Sequence, residues 1–481
     1  MVEYEPVIGL EVHAELKTAS KMYCSCENRF GAEPNTLVCP VCMGLPGTLP
    51  RLNKKAVELA VKAGIAMNCT IQQGSYQDRK NYFYPDLPKS YQISQSERPL
   101  CKNGYLDVLV EGQRKRVRIE RIHIEEDAGK LIHDPQSGTT LADYVRCGVP
   151  LIEIVTEPDI GSSQEAHAFL ETVRSTLKAL DISDCKMQEG SVRCDVNVSL
   201  REKGSPSLGT RCEMKNVNSF SGAVRGIEYE ISRQLRLLTA RETIRQETRR
   251  WDDAKGLSTV MRTKENAMDY RFFPEPDLGL ITVPEELISR IRSSMPELPG
   301  EKLFRYTEEL GLKEQEAKII AFDTEKARLF EASLSSKKAS ARTLCSLIVG
   351  EITKFLKDNS CEIRDMRLTP EELAELAGDT EQGRISSSSA KKVLKELLTV
   401  GGNVKEITKR LGLEQDSDPE SIKKLVTQVI AQQPEAVREF RNGKTSALNH
   451  IIGLCMKASK GRADPAMVRK FAEKLINDKE V

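Results

Sequence analysis

Acidic, imidazole and cationic side chains recur at two-residue spacing in four segments that alternate polar with apolar residues. The segments are GLEVHAEL, RIHIEEDAGK, SVRCDVNVSL and TRCEMKNVNS, and the polar residues concerned are Glu11, His13, Glu15, His123, Glu125, Arg193, Asp195, Glu213 and Lys215. Because side chains two apart on a β-strand share a face, each segment predicts a strand with one charged face. If the strands belong to one sheet, that face gathers carboxylates beside cations.

Such a charged strand face favours particular ligands. Carboxylates packed together repel one another and need a counter-ion, and oxygen ligands with an occasional imidazole suit Mg²⁺ or Mn²⁺. Arginine and lysine beside them suit anionic oxygens, so the pattern indicates a site for a metal-bound polyphosphate. The alternative is a set of solvated strand faces, which fits any one strand better; periodicity alone does not show that the four strands converge.

Four cysteines form a second candidate site. Cys24 and Cys26 make a C-x-C pair, and Cys39 and Cys42 make a C-x-x-C pair. Two short-spaced thiolate pairs meet the requirement of a closed tetrahedral Zn²⁺ site. We favour a structural zinc-binding loop over 24–42 rather than free or redox-active thiols, and a closed site would hold a loop rather than carry a reaction.

A basic, aromatic loop follows in DRKNYFYPDLPKSYQISQ. It interleaves cations, among them Lys80, with aromatic residues, among them Tyr82. Aromatic rings stack on unpaired bases while cations meet phosphates, so the loop is a candidate for binding single-stranded nucleic acid. A packed loop with its rings in the core fits equally well. No P-loop or GxGxxG motif stands in the required context.

The composition is that of a globular protein of 481 residues with a net charge of +1. No apolar run approaches the ~20 residues needed to cross a bilayer, and the N-terminal sequence lacks a signal-peptide pattern. We therefore expect a cytoplasmic location and no membrane association. The net charge neither requires nor excludes a nucleic-acid partner.

The elements that position these residues change character along the chain. Up to about residue 285 alternating strands predominate, interrupted by amphipathic helices such as the one that the Ser162-x-x-Glu165 cap introduces. After SSMPELPG, capped helices follow one another, with a break at LTVGGNV. The predicted fold is α+β: a large domain at 1–292 with an antiparallel sheet, an all-α domain at 293–403 and a small all-α tail at 404–481.

Long motifs then match a known family. IGLEVHAEL, DRKNYFYPDLPKSYQISQ, HIEEDAGK, PLIEIVTEPD, EGSVRCDVNVS, EMKNVNSF and MRTKENAMDYRFFPEPDL resemble, in this order, the signature blocks of the B subunit of the tRNA-dependent amidotransferase. NGKTSALNHIIGLCMKASKGRADP resembles the family's tRNA-binding tail, so the resemblance covers essentially the whole chain. It implies an N-terminal cradle domain that uses ATP and Mg²⁺ to phosphorylate the side-chain carboxylate of Glu-tRNA(Gln), Asp-tRNA(Asn) or both, before ammonia displaces the phosphate.

The resemblance also implies site residues and partners. Carried over by motif, the candidates are Glu11, His13 and Glu125 for the first Mg²⁺ shell, Glu126, Asp195 and Glu213 for a second metal or its water ligands, Arg193 and Lys215 for phosphate charge, and Lys80 and Tyr82 for the tRNA acceptor end. The family's zinc loop would be structural. Ammonia would come from a separate amidase subunit, with a further small subunit completing a heterotrimer.

Two other functions compete with this one. A zinc-containing tRNA-binding protein without catalytic activity would explain the cysteines and the basic loop, although a polyanion binder gains nothing from clustered carboxylates. A metal-dependent hydrolase is the weaker alternative.

Overall fold

The computed structural model describes residues 2–263, 269–413, 418–459 and 463–477. Parts of the MRTKENAMDYRFFPEPDL block, of the C-terminal block and of the predicted tail lie outside these residues. The chain divides into two compact units, Met1–Lys302 and Leu303–Val481. The sequence-predicted boundaries after 292 and 403 stay predictions.

The first unit contains most of the β structure. Its strands are β1 (Tyr4–Glu15), β2 (Thr70–Ile71), β3 (Asp78–Asn81), β4 (Tyr91–Ser94), β5 (Cys101–Val110), β6 (Gln113–Glu126), β7 (Lys130–His133), β8 (Thr140–Asp143), β9 (Pro150–Thr156), β10 (Val192–Glu202), β11 (Cys212–Val217), β12 (Glu247–Asp252), β13 (Leu257–Thr263) and β14 (Phe273–Pro274). Its helices are α1 (Lys54–Ala66), α2 (Ser163–Ala179), α3 (Phe220–Thr239) and α4 (Glu285–Ser293).

Within the described residues, nine strands form one sheet in the order β13-β12-β11-β10-β1-β9-β6-β5-β2. All neighbours run antiparallel except β11 and β12, which are parallel. The exception has a simple cause, since α3 connects these two strands and a helical crossover returns the chain in the same direction. Two smaller sheets pair β14-β3-β4 and β7-β8.

One face of the large sheet forms the core of the unit. Leu10, Ile124, Ile154 and Val196 are fully buried on this face, and helices α1, α2 and α3 pack against it. The predicted cap of α2 is confirmed, because the Ser162 Oγ accepts a hydrogen bond of 3.1 Å from the Glu165 amide. With one face covered by helices, the alternating side chains on the other face are left to build a site.

The second unit is helical. Its elements are α5 (Pro299–Glu308), which begins in the first unit, α6 (Glu314–Ala321), α7 (Thr324–Ser335), α8 (Ala341–Leu347), a π-helical turn (Ile348–Ile352), α9 (Thr353–Asn359), α10 (Pro370–Glu381), α11 (Ser387–Thr399), α12 (Val404–Arg410), α13 (Pro419–Ala431), α14 (Pro434–Arg441), α15 (Thr445–Ala458) and α16 (Pro465–Asn477). The sheet-rich first unit followed by this helical one confirms the predicted α+β class. In the part of the chain that the structure describes, no helix is both long enough and apolar enough to traverse a bilayer.

Candidate active site

Strand register brings the predicted charged faces together at the middle of the large sheet. His13 on β1 lies opposite Arg193 on β10 and opposite Glu153 on β9. Glu153 in turn lies opposite His123 on β6. Neighbouring strands are about 4.8 Å apart, so side chains in one such row can touch. Among the described residues, the ligand atoms of this face fall into two groups of three.

The first group, here called the histidine trio, consists of His13, Glu125 and Glu153. One ligand atom from each lies within 4.8 Å of the others. The His13 Nε2 is 3.1 Å from a Glu153 carboxylate oxygen and 3.7 Å from a Glu125 oxygen. His123 lies behind the trio, with its Nε2 3.4 Å from Glu153 and 3.7 Å from Glu125. Ser94 on β4 donates a 3.1 Å hydrogen bond to Glu125 and helps to orient it.

The histidines determine the charge of this trio. Burial alone would lower the pKa of His123, but the charge of Glu153 and hydrogen bonds to Glu125 and Glu153 raise it to about 9. Burial likewise opposes ionisation of Glu125 and Glu153, yet the neighbouring imidazoles hold the pKa of both carboxyls below the usual range. Both acids are therefore ionised at neutral pH. Two carboxylates and one imidazole fit a hard divalent ion such as Mg²⁺ or Mn²⁺.

The second group, here called the lysine trio, consists of Glu11, Asp195 and Glu213, whose ligand atoms also lie within 4.8 Å of one another. The Lys215 Nζ is 2.5 Å from an Asp195 oxygen and 3.1 Å from a Glu213 oxygen. Asn197 donates a 2.9 Å hydrogen bond to Glu11. Lys215 thus neutralises two of the three acids.

Glu11 is the least compensated member. Burial, the charge of Glu153 and the charges of Asp195 and Glu213 raise the pKa of Glu11, and the bond from Asn197 offsets only part of this. An additional cation beside Glu11 would relieve the repulsion. The donor set therefore also fits a metal ion or a metal-bound phosphate.

These groupings differ from two predicted assignments, which stay predictions. Glu11 was expected to share a metal shell with His13 and Glu125, but the structure groups it with the lysine trio. Glu126 was expected near Asp195 and Glu213, but it belongs to neither trio. Because side chains alternate along β6, Glu126 points away from the face that carries Glu125.

Glu126 has a structural environment of its own. Its carboxylate forms an ion pair with the buried Lys89 and accepts a 3.0 Å hydrogen bond from the Ile93 amide. These contacts tie β4 to the end of β6.

The remaining predicted residues have contacts of their own. Arg193 is paired with Asp127 at the end of β6, so its charge is already shared with a carboxylate. Lys80 and Tyr82 lie at the end of the β3–β4 ribbon, where the Lys80 Nζ is 5.1 Å from the centroid of the Tyr270 ring. The Tyr82 and Tyr270 rings meet edge to face at 6.2 Å.

A cavity of about 200 Å³ opens beside the lysine trio. Glu11 and Asn197 line it together with Gly9, Ser199 and Arg211. It combines backbone, hydroxyl and guanidinium donors with an acidic edge, a composition that suits a nucleotide bound through its oxygens.

The sequence interpretation did not identify Glu153 as a site residue, nor His123 as its partner. It also did not identify Asp127 as the partner of Arg193. Glu153 carried a detectable signal, because it is the single charged residue in the otherwise apolar strand PLIEIVT. A carboxylate in a buried strand needs a partner, and this requirement could have identified Glu153 as a site residue from the sequence.

The four cysteines of the predicted zinc loop also meet. One thiol sulfur from each of Cys24, Cys26, Cys39 and Cys42 lies within 4.8 Å of the others. The Cys39 amide donates a 3.1 Å hydrogen bond to the Cys42 sulfur. A hydrogen bond with the Cys24 thiol contributes most to lowering the pKa of Cys42. The Cys39 amide and the charge of Lys21 lower this pKa further, and burial only partly opposes the change. Four thiols at this separation fit a tetrahedral Zn²⁺ ion.

Comparison with known proteins shows the family of the chain. Residues 6–289 match the family model described as the GatB/GatE catalytic domain, and residues 328–476 match the one described as the GatB domain. The chain belongs to the GatB family. The resemblance inferred from the motifs is thereby confirmed, and both trios lie within the part that matches the catalytic-domain model.

Three relatives illustrate the similarity, and each is named as the B subunit of an aspartyl/glutamyl-tRNA(Asn/Gln) amidotransferase. The chain is 51% identical over 473 residues to the protein of Caldicellulosiruptor bescii, with 98% of each chain covered. It is 50% identical over 470 residues to that of Caldanaerobacter subterraneus, again with 98% of each covered. It is 45% identical over 477 residues to that of Clostridium botulinum, covering 99% of this chain and 100% of the relative.

Proposed function

We propose that this chain is the B subunit of a glutamine-hydrolysing, ATP-dependent tRNA amidotransferase, a ligase that forms a carbon–nitrogen bond. Its substrate would be Glu-tRNA(Gln), Asp-tRNA(Asn) or both. The observation that carries the proposal is the pair of carboxylate trios on one sheet face within the part that matches the catalytic-domain model. Phosphoryl transfer requires charge neutralisation and positioning, and this face supplies both.

The proposed reaction has two steps. A side-chain carboxylate oxygen of the misacylated tRNA attacks the γ-phosphorus of ATP, the bond to the bridging oxygen breaks and ADP leaves. The nitrogen of ammonia then attacks the carbonyl carbon of the acyl phosphate, phosphate leaves and the nitrogen loses a proton. The first step is needed because an ionised carboxylate has no adequate leaving group for displacement by an amine at neutral pH.

His13, Glu125 and Glu153 would hold Mg²⁺, which when bound neutralises phosphate charge and polarises the phosphoryl oxygens. Asp195 and Glu213, with Lys215 between them, would border the transferred phosphoryl group. Lys215 would shield it from the acids on either side.

Other residues would bind the rest of the substrates. The cavity beside Glu11 would hold the nucleotide, with Arg211 as an additional cation. Arg193, held by Asp127, would add positive charge near the acceptor. Lys80 and Tyr82 would lie against the tRNA acceptor end.

The proposal includes partners and a structural metal. The name of the relatives designates one component of a larger enzyme. We therefore propose a cytoplasmic heterotrimer that binds tRNA, in which an amidase subunit supplies ammonia and a small subunit completes the complex. Zn²⁺ at Cys24, Cys26, Cys39 and Cys42 would hold the loop 24–42. None of these thiols belongs to either trio.

Reconstitution tests the function. The complex of the three subunits is mixed with labelled ATP, Mg²⁺, glutamine and misacylated tRNA, and amidated aminoacyl-tRNA and ADP are measured. We expect both products in equal amounts. Binding of tRNA without ADP release would instead support the alternative of a non-catalytic zinc-containing tRNA-binding protein, which the match to a catalytic-domain model disfavours. ATP hydrolysis independent of tRNA would support the hydrolase.

A further inference from the structure

The strand β12 contributes a buried hydroxyl group to the lysine trio. Thr248 is 1% exposed, and its Oγ1 donates a 2.8 Å hydrogen bond to the Oε2 of Glu213. The two residues are partners in the parallel pairing of β11 with β12, and paired residues of neighbouring strands carry their side chains on the same face of a sheet. Thr248 therefore belongs to the charged face, although it has no charge of its own.

The two oxygens of Glu213 have different partners. Oε2 accepts the hydrogen bond from Thr248, whereas Oε1 is 3.1 Å from the Lys215 Nζ. The same Lys215 Nζ is 2.5 Å from an Asp195 oxygen. Fixing one oxygen of a carboxylate fixes the direction of the other. Thr248 therefore determines where Glu213 meets Lys215, and with it the position of the ammonium group between two acids.

The backbone that carries Thr248 is anchored on the opposite face of the sheet. The Arg249 side chain donates hydrogen bonds of 2.8 Å and 3.0 Å to the hydroxyl and the carbonyl of Ser258 on β13. Trp251 is fully buried, and its ring lies 5.9 Å from that of Tyr229 on α3. The branched β-carbon of threonine also restricts rotation about χ1. The hydroxyl is thus held in place by its strand and by its own side chain.

A purely structural role is the alternative. A buried carboxylate needs hydrogen-bond partners wherever it lies, and Thr248 would then satisfy Glu213 without influencing the site. However, the ligand atoms of Glu213 lie within 4.8 Å of those of two other acids, Glu11 and Asp195. Like charges at this separation repel one another, and the hydrogen bond from Thr248 opposes rotation of Glu213 away from the trio.

We propose that Thr248 is a positioning residue of the reaction: its hydroxyl holds Glu213 in the lysine trio, so that the Lys215 ammonium stays between two acids beside the phosphoryl group that is transferred. This inference rests on the proposed function, which assigns the γ-phosphoryl group of ATP to the lysine trio. Because Thr248 is buried, it acts through Glu213 and not by contact with the substrate.

The test compares how two nucleotides bind to the reconstituted complex in the presence of Mg²⁺: ADP and a non-hydrolysable ATP analogue that retains the γ-phosphoryl group. Isothermal titration calorimetry measures both affinities without turnover. Thr248→Val removes the hydroxyl and keeps the branched shape, and we expect it to weaken binding of the analogue roughly 10-fold, the lower end of the range for losing a residue that orients a metal-site ligand. ADP binding should not change, because ADP lacks the group that the lysine trio borders.

Further variants show how Thr248 acts. Thr248→Ser keeps the hydroxyl and should restore the affinity for the analogue. In a Glu213→Ala background, Thr248→Val should cause no further loss, because a residue that acts only through Glu213 then has nothing to position. Thr172→Val is the matched control and should change neither affinity. Thr172 is buried in α2, where its hydroxyl donates a 2.8 Å hydrogen bond to the Ala168 carbonyl, so the control removes a buried hydroxyl outside the site.

Three results would overturn the role of Thr248: unchanged affinity for the ATP analogue in Thr248→Val, an equal loss of affinity for both nucleotides, or a further loss in the Glu213→Ala background. The proposed function is tested separately, by product formation from misacylated tRNA. A complex that shows the expected contrast between the nucleotides but forms no amidated tRNA overturns the proposed function and leaves the role of Thr248 supported.

Discussion

The sheet face and the cysteine loop each gather potential metal ligands within 4.8 Å, but they do so in different ways. The loop takes its four thiols from one short segment of chain, 24–42. The sheet face takes its carboxylates and imidazole from β1, β6, β9, β10 and β11, which are distant in sequence. A local site can form with its loop, whereas the sheet site exists only when the whole sheet is paired.

For function, the chemistry of the donor atoms at the two sites matters more than their separation along the chain. Four thiolates saturate a tetrahedral ion and leave no position for a substrate. Two carboxylates and an imidazole, with one ligand atom each, leave half of the positions of a six-coordinate ion open to phosphate oxygens and water. The sheet face can therefore bind a substrate through a metal ion, whereas the loop can only be held in place by one.

Glu153→Gln should have the largest effect. It removes an anionic ligand and leaves His13 and His123 with only one of the two carboxylates that they share. We therefore expect ADP release by the reconstituted complex to fall roughly 10³-fold, equivalent to about 4 kcal/mol of lost transition-state stabilisation. The measurement is tRNA-dependent ADP release at saturating Mg²⁺. Glu202→Gln, at the exposed end of β10, should have no effect. Activity within tenfold of the unmodified complex would remove Glu153 from the site.

Glu126→Gln should lower the free energy of unfolding and leave ADP release unchanged. The change leaves Lys89, whose side chain is 7% exposed, as an unpaired buried charge, and breaking such a pair costs about 3 kcal/mol. Urea unfolding followed by the fluorescence of Trp251, the single and fully buried tryptophan, measures the loss. The double change Lys89→Met with Glu126→Gln should recover most of it. A lowered Mg²⁺ affinity in Glu126→Gln would restore that residue to the metal ligands.

Cys39→Ser should alter the loop and spare the reaction. We expect ADP release to change by no more than about twofold, because a closed thiolate site offers no position to substrate. Protease cleavage within 24–42 should become faster once the loop loses a ligand. Loss of turnover as large as that of Glu153→Gln would show that the loop takes part in the chemistry.

Thiol labelling should give the smallest but most selective signal. Burial raises the pKa of Cys69 to about 12 and that of Cys455 to about 11, so below these values both stay protonated and unreactive. At pH 8, mass spectrometry after iodoacetamide treatment should find the half-buried Cys361 labelled with or without a chelator. Chelation should add Cys39 to the labelled set. Labelling of Cys39 before chelation would argue against bound zinc.

Patterns among residues close in sequence predicted much of the fold and of the two candidate metal sites. Two-residue alternation identified the charged faces of β1, β6, β10 and β11, and the Ser162 cap marked the start of α2. Spacing likewise identified the cysteine cluster, because its ligands are close in sequence.

Strand order was not predictable from those rules. Only the pairing of β1 with β9, and of β9 with β6, places Glu153 between His13 and His123. Alternation along β6 assigns Glu126 to the face opposite Glu125, whereas the family motif grouped it with candidate metal ligands. The parallel pairing of β11 with β12 likewise depends on the crossover through α3.

Mn²⁺ binding followed by pulsed electron paramagnetic resonance tests the central claim most directly, since Mn²⁺ occupies the same oxygen-rich sites as Mg²⁺. An ion held by the histidine trio should give a ¹⁴N coupling from imidazole in the unmodified protein, lost in His13→Ala and retained in Cys39→Ser. Bound Mn²⁺ without nitrogen coupling, or a coupling that survives His13→Ala, would contradict it.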